Sequence, residues 1–173
     1  MRSTTIALSR RVARLRVPLG LPLGGIALYL AMPTDRTLLA GASLAIVGES
    51  IRIWAAGHVN KSREVTSSGP YRWCAHPLYA GSSVIGLGLA VAARSELVAA
   101  LIVAYLGVTL TAAILTEEAS LHAQFGDRYE QYRIVGIVDR RRRFSLGRAI
   151  ANREHRALIG LLVVGVLLAL KAS

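Results

Sequence analysis

Cysteine and acidic residues are scarce in this sequence. The only cysteine among 173 residues is Cys74, which excludes an internal disulfide and a cysteine-rich zinc site. Aspartate and glutamate number 10 against 21 lysines and arginines, so the formal net charge is +11. Apart from an arginine run at residues 140–143, the sequence has no internal repeat or low-complexity segment. Disulfide-rich and repetitive folds are therefore excluded, and the positive charge needs an explanation.

Apolar residues make up 53% of the chain and collect in five segments. The segments are residues 17–32, 38–56, 78–93, 97–115 and 157–170. Two of them reach the roughly 18 to 20 residues that cross a bilayer core, and shorter ones can use flanks such as Arg156 and Lys171 as anchors. The segments lack the polar face of helices in a soluble bundle, which is the alternative. We therefore predict an all-α, polytopic membrane protein of about five transmembrane helices.

The basic residues lie in alternate connections of this predicted topology. They precede the first span and occupy the connections between spans two and three and between spans four and five, whereas the opposite loops contain only Arg36 and Arg94. By the positive-inside rule, the N-terminus and the basic segments are predicted to be cytoplasmic, in a bacterial inner membrane or its equivalent. The charge is then explained by the lipid bilayer and its anionic head groups, and no nucleic acid partner is predicted.

Small residues recur along the second and third spans and predict close packing between helices. The first two spans are predicted to form a simple hairpin. The second span also contains Glu49 and Arg52, three residues apart on one helical face. An ionisable pair within a span indicates a function by default. The alternative is a structural pair that neutralises itself or anchors the helix at the interface.

A polar motif, Gly-Pro-Tyr-Arg-Trp-Cys-Ala-His-Pro-Leu-Tyr-Ala-Gly, opens the third span at residues 69–81. Pro77 is predicted to be the first helical residue, because proline lacks the N–H that would be unpaired there. The free backbone donors and the positive end of the helix dipole would suit a carboxylate, with His76 as a further donor. Alternatively, these residues are only cap and interfacial residues.

A second polar motif, at residues 117–132, follows the fourth span and begins with Glu117 and Glu118. Acids at a helix C-terminus oppose the helix dipole, and at the end of a span they are costly unless paired or functional. Carboxylates in this place suit hydroxyl or ammonium groups. The alternative is a helix extension with both acids in water. Because a short turn at residues 94–96 joins spans three and four, both motifs are predicted to lie at the same end of one hairpin.

Together the two motifs resemble those of the isoprenylcysteine carboxyl methyltransferase family and its relatives among phospholipid methyltransferases. Members look like Gly-x-Tyr-Arg-Tyr-x-Arg-His-Pro-x-Tyr-x-Gly at the start of one span and Glu-Glu-x-x-Leu-x-x-x-Phe-Gly-x-x-Tyr-x-x-Tyr after the next. The similarity covers roughly residues 51–132. The matching positions are Gly69, Tyr71, Arg72, His76, Pro77, Tyr79, Gly81, Glu117, Glu118, Leu121, Phe125, Gly126, Tyr129 and Tyr132.

The resemblance implies an integral membrane enzyme that transfers a methyl group from S-adenosylmethionine, with S-adenosylhomocysteine as product, to a lipid-like or small hydrophobic acceptor. It implies a cofactor pocket on the cytoplasmic side, with residues 63–68 closing over it and no need for a metal. An amine acceptor must lose a proton, so His76, Glu118 or His122 is predicted to be the catalytic base. The implied cofactor-binding residues are Tyr71, His76, Pro77, Leu78, Tyr79 and Glu117.

The chain departs from the family pattern at two positions. Ala75 replaces a common arginine, and Ala113 stands where the eukaryotic prenylcysteine enzymes carry an arginine suited to the substrate carboxylate, so prenylcysteine is not the expected acceptor. Two other functions stay open: an NADPH-dependent reductase of the steroid-reductase type, and a non-catalytic scaffold or transport subunit. The catalytic region is predicted at residues 58–135. A basic segment with a transmembrane hairpin at 1–57 precedes it, and a basic segment with the last span at 136–173 follows.

Overall fold

The computed structural model describes residues 2–60, 64–135, 139 and 142–173, and the regular structure in this part of the chain is helical. The all-α prediction is therefore confirmed. The helices are α1 (Arg2–Leu30), α2 (Asp35–Ala56), a 3₁₀ helix (Gly69–Arg72), α3 (Pro77–Ala93), α4 (Glu96–Phe125), α5 (Asp127–Val135), α6 (Leu146–Ala151) and α7 (Glu154–Ala172).

Three of the described helices, α2, α4 and α7, are long and apolar enough to cross a membrane, and two apolar stretches, Pro18–Leu30 of α1 and the whole of α3, are shorter. These five coincide with the predicted apolar segments, although α1 and α4 extend further. Helix α4 continues into the second polar motif because its residues there are mostly good helix formers. It ends before Gly126, whose φ is +47°.

Helices α2 and α3 pack face to face through glycines. Gly48 of α2 lies against Gly81 of α3, and a Cβ added to either residue would stand 2.7 Å from the carbonyl oxygen of the other. Gly41 and Gly88 make a similar contact further along the pair. The predicted close packing is confirmed, and it places Arg52 of α2 next to α3.

The first helix packs mainly along α4 rather than on α2, so the hairpin predicted for the first two spans is wrong. The reason lies at the end of α1, where the backbone N–H of Met32 donates to the carbonyl oxygen of Ala93 at 2.8 Å. Ala31 is buried in the same cluster as Ala93 and Val98. These contacts hold the end of α1 at the α3–α4 turn, and the helix then follows α4.

The last two helices return to the end of α2. The Asn152 side chain donates hydrogen bonds to the carbonyl oxygens of Ala56 at 2.9 Å and Val59 at 3.1 Å. Arg153 then adopts the left-handed conformation, with φ +65°, and turns the chain into α7. The first residue of α7, Glu154, is consequently held against α2.

Candidate active site

The first polar motif forms a compact turn before α3. Gly69 has φ +58° and lies against the ring of His58, where a Cβ would stand 2.6 Å from the nearest ring atoms, so both conformation and space require glycine. Gly69 begins the 3₁₀ helix, in which Tyr71 is buried. Tyr132 of α5 donates a hydrogen bond from its hydroxyl to the Tyr71 carbonyl oxygen at 2.6 Å. The two motifs are thus joined through their tyrosines.

His76, Glu117 and Glu118 form one group, termed the imidazole cluster. Helix α3 begins at Pro77 as predicted, and His76 immediately precedes it. His76 Nε2 lies 3.4 Å from Glu118 Oε1, and Nδ1 lies 3.9 Å from Glu117 Oε2. The side chains of His76, Glu118 and Glu117 are 14%, 25% and 43% exposed. One ring therefore faces both carboxylates of α4, and Glu117 is the most accessible member.

A cavity of about 1230 Å³ lies beside the imidazole cluster. His76 and Pro77 lie outside its lining, although His76 reaches Glu117 across the cavity edge. Residues of both motifs thus converge on one space. The predicted cofactor-binding residues in its wall are Tyr71, Leu78, Tyr79 and Glu117.

The three predicted bases have different surroundings. Glu118 contacts His76, and neither residue lines the cavity. His122 lies one turn further along α4, with its ring in edge-to-face contact with Tyr129 at 4.8 Å between centroids. The structure brings His76 and Glu118 together and leaves His122 outside the cluster. Their roles as bases stay predictions.

The loop predicted to close over the cofactor contributes residues 64–66 to the cavity wall. Glu64 of this loop forms an ion pair with Arg142, and Arg63 lies outside the described residues. Ala75 and Ala113, the two departures from the family pattern, also line the cavity. Neither position therefore contributes a cation to the wall.

Sequence reasoning missed Glu154, which contacts the cavity from the first turn of α7. Arg52 Nη2 lies 2.7 Å from Glu154 Oε2, and Arg52 Nε lies 3.4 Å from Glu49 Oε2. Arg52 Nη1 donates to Ser82 Oγ at 2.5 Å. Glu49, Arg52 and Glu154 are termed the buried ion-pair cluster. The available sequence signal was an acidic residue at the start of an apolar segment. That signal does not identify the partner, Arg52, which lies 102 positions away.

A second cavity, of about 400 Å³ and almost entirely apolar, adjoins the first among α1, α3, α4 and α7. Arg52 and Ser82 lie in the walls of both cavities. Glu49 faces only the apolar cavity, and Glu154 faces only the larger one. The buried ion-pair cluster therefore marks the boundary between the larger, mixed cavity and the apolar one.

Two tyrosines of the site hold their protons tightly. Burial raises the pKa of Tyr71 well above its ordinary value, and the negative charge of Glu117 raises it further. Burial likewise raises the pKa of Tyr132 to about 12. Both phenols therefore stay neutral near pH 7 and can donate hydrogen bonds.

The model of the family described as Phospholipid methyltransferase matches residues 37–128. The cobalt-zinc-cadmium resistance protein CzcN of Cupriavidus metallidurans is 34% identical over 97 residues, which cover 55% of this chain and 44% of that protein. The nickel-cobalt-cadmium resistance protein NccN of Alcaligenes xylosoxydans xylosoxydans is 33% identical over 89 residues, 50% of this chain and 40% of that protein.

The matched region thus spans less than half the length of these two relatives. No solved structure matches the chain. The family match extends from α2 into α5 and includes the whole first motif, the glutamate pair and the cavity residues between them. Since it covers more than half of the sequence, this chain belongs to the phospholipid methyltransferase family.

Proposed function

We propose that this protein is an integral membrane methyltransferase that uses S-adenosylmethionine and acts on a lipid-like acceptor. The observation that carries the proposal is the convergence of two motifs on one cavity. His76, before α3, faces Glu117 and Glu118 of α4 at the edge of a space of about 1230 Å³. Membership of the phospholipid methyltransferase family supports the same class of reaction.

The residues of the larger cavity suit the cofactor. Its methionine part carries an ammonium and a carboxylate, and its ribose carries hydroxyls. Glu117 can accept hydrogen bonds from the ammonium or the hydroxyls, while the backbone N–H of Leu78 at the start of α3 and the neutral phenol of Tyr71 can donate. The cavity exceeds the roughly 300–1,000 Å³ that a drug-sized ligand occupies, so part of an acceptor fits as well.

The cofactor, when bound, supplies a methyl group that its sulfonium makes electrophilic. The task of the chain is to bind, orient and exclude water. Glu117 provides the charged contact, and His76 positions Glu117 through the contact at 3.9 Å. For an amine acceptor, a base must take the proton, and His76, Glu118 and His122 are the proposed candidates.

The apolar cavity supports a lipid-like acceptor. Its wall consists largely of aliphatic side chains from α1, α3, α4 and α7, and it adjoins the larger cavity at Arg52 and Ser82. An apolar chain can lie there with its reactive end toward the larger cavity. The alanine at position 113 provides no partner for a carboxylate, so prenylcysteine is not proposed as the acceptor.

The proposed setting is a bilayer crossed by α1, α2, α3, α4 and α7, with both motifs and the basic segments on the cytoplasmic side. Exposed arginines such as Arg143 then lie near anionic head groups. Relatives from bacteria favour a bacterial inner membrane. The names of those relatives concern metal resistance, and within the residues described here no three His, Cys, Asp or Glu side chains are grouped as a metal site.

Calorimetric titration of the purified protein in nanodiscs with S-adenosylhomocysteine and with NADPH tests the proposal. We expect S-adenosylhomocysteine alone to bind. Glu117→Ala and His76→Ala are each expected to weaken binding at least about tenfold, because tenfold equals about 1.4 kcal/mol, close to the contribution of one hydrogen bond to a charged group. Glu130→Ala, at an exposed position of α5, is the matched control.

Three results would contradict the proposal. Binding of NADPH alone would indicate a reductase, and binding of neither ligand would favour a scaffold or transport subunit. Unchanged affinity of both Glu117→Ala and His76→Ala for S-adenosylhomocysteine would place the cofactor elsewhere in the molecule.

A further inference from the structure

The buried ion-pair cluster has an unsatisfied member. The side chain of Glu49 is only 5% exposed, and its Oε2 lies 3.4 Å from Arg52 Nε. Neither carboxylate oxygen of Glu49 accepts a hydrogen bond from the described residues. A buried carboxylate without donors costs several kcal/mol. Because Glu49 lies in the wall of the apolar cavity, a donor that enters this cavity can satisfy it.

The charges of the cluster select the kind of donor. Two carboxylates face one guanidinium, so the formal charge of the cluster is −1. The two terminal nitrogens of Arg52 are already engaged, one by Glu154 at 2.7 Å and the other by Ser82 at 2.5 Å. Arg52 Nε lies 3.4 Å from Glu49 Oε2 and donates no hydrogen bond within the described residues. An acidic group would therefore meet two carboxylates and one guanidinium, whose single positive charge they already outweigh. A cationic, hydrogen-bond-donating group would meet an open carboxylate.

We propose that the buried ion-pair cluster is a binding site for the polar end of the acceptor, and that it selects apolar molecules ending in a cationic donor such as an ammonium group. This site extends the proposed methyltransferase function and rests on it, because the bound molecule is an acceptor only if the protein transfers a methyl group. Glu49 makes the direct contact. The apolar tail lies in the cavity of about 400 Å³, and the polar end lies at the boundary with the larger cavity.

This assignment also explains how α7 contributes to the site. Glu154 is the first residue of α7, its side chain is 9% exposed, and it holds Arg52 through Nη2, whereas Glu49 lies nearest to Nε. By occupying Arg52 Nη2 it leaves that guanidinium less able to pair with Glu49. Glu154 is therefore a positioning residue, and Glu49 is the recognition residue. A helix that follows both polar motifs thereby completes the acceptor site.

Titration with three short amphiphiles of equal chain length tests the site. Hexylamine, hexanol and hexanoate are added to the protein in nanodiscs, with empty nanodiscs as the blank. We expect hexylamine to bind most tightly and hexanoate most weakly. Glu49→Gln is expected to weaken hexylamine at least about tenfold and hexanol less than about threefold, since a neutral amide loses the attraction for a cation but keeps an acceptor oxygen.

The control is Glu96→Gln, which removes an exposed acid at the other end of α4 and should leave all three affinities unchanged. Affinity for S-adenosylhomocysteine distinguishes failure of the acceptor site from failure of the proposed cofactor site. If the wild type binds hexylamine but not S-adenosylhomocysteine, the cofactor assignment fails and the site stands. If S-adenosylhomocysteine binds and hexylamine shows no dependence on Glu49, the site fails alone.

Two further variants keep the test decisive. Glu154→Gln is expected to weaken hexylamine less than Glu49→Gln does, and rescue of hexanoate binding in Glu154→Gln would confirm that Glu154 occupies Arg52. Leu161→Trp fills the apolar cavity from α7 and should abolish hexylamine binding while S-adenosylhomocysteine still binds. Tighter binding of hexanoate than hexylamine to the wild type, or unchanged hexylamine binding by Leu161→Trp, would overturn the proposal.

Discussion

The two clusters of acids in this protein are built alike and exposed differently. Each places one basic side chain between two carboxylates: the imidazole cluster around His76 and the buried ion-pair cluster around Arg52. The carboxylates of the imidazole cluster are 43% and 25% exposed, whereas those of the buried cluster are 5% and 9% exposed. A charged side chain costs little free energy where water hydrates it, and several kcal/mol where burial removes that water.

This difference separates two kinds of task. The imidazole cluster can meet a ligand that arrives from water, because its acids remain partly hydrated. The buried cluster has one more carboxylate than guanidinium and little access to water, so it suits the recognition of one group that arrives through an apolar cavity. Four single substitutions and one triple variant would break or sharpen this comparison, and the expected effects of the single substitutions decrease from Arg52→Ala to His122→Gln.

Loss of the guanidinium from the buried cluster is expected to have the largest effect. Arg52→Ala leaves Glu49 and Glu154 as uncompensated buried charges, which should lower the free energy of unfolding by about 3–5 kcal/mol. Reversible denaturation of the wild type and the variant in mixed micelles measures this difference in the free energy of unfolding. Arg36→Ala, at an exposed position near the start of α2, is the control.

Neutralising the whole buried cluster should reverse most of that loss. The triple variant Glu49→Gln, Arg52→Met, Glu154→Gln has no unpaired charge and is expected to recover most of the stability. Wild-type stability in Arg52→Ala would mean that water reaches the cluster, and the contrast between the two clusters would then disappear.

Tyr132→Phe removes the hydrogen bond to the Tyr71 carbonyl oxygen and should cost about 0.5–1.5 kcal/mol. The folded state holds the Tyr132 proton more tightly than the unfolded chain does, so its stabilisation is complete below about pH 10 and is lost as pH rises toward 12. The variant should show a shallower alkaline loss of stability than the wild type. Tyr29→Phe, at an exposed tyrosine, is the control, and identical alkaline profiles of wild type and Tyr132→Phe would contradict the burial of that phenol.

Glu118→Gln should have a smaller effect, on the imidazole cluster alone. The substitution removes one of the two charges that face His76, while the cavity residue Glu117 stays in place. We expect affinity for S-adenosylhomocysteine to fall about threefold to tenfold, or about 1 kcal/mol, with little change in stability. A loss greater than that of Glu117→Ala would show that Glu118 contacts the cofactor directly.

His122→Gln is expected to have the smallest effect on cofactor binding. The ring of His122 packs on Tyr129 and lies outside the cavity lining, so affinity for S-adenosylhomocysteine should change less than about twofold. Loss of the edge-to-face contact should cost about 1 kcal/mol of stability, measured by thermal denaturation. A tenfold loss of affinity in the folded variant would bring His122 into the site.

The helices and the two polar motifs could be predicted because their determinants are local. Apolar runs set the helical segments, and Pro77 begins α3 as expected. The meeting of His76 with the glutamates followed from the short turn between two antiparallel helices. The end of α4 could not be predicted from hydropathy, since the residues after Leu115 are mostly polar and yet form helix well.

The sequence by itself determined an all-helical, apolar chain with two polar motifs at the same end of one helical hairpin, because hydrophobic runs, helix formers and a short turn act over neighbouring residues. Only the tertiary structure decided that α1 follows α4 and that Glu154 meets Arg52 across 102 positions. Such pairings depend on which apolar faces fit together and on which buried charges must be compensated. Both are properties of the packed molecule, and no short stretch of sequence contains them.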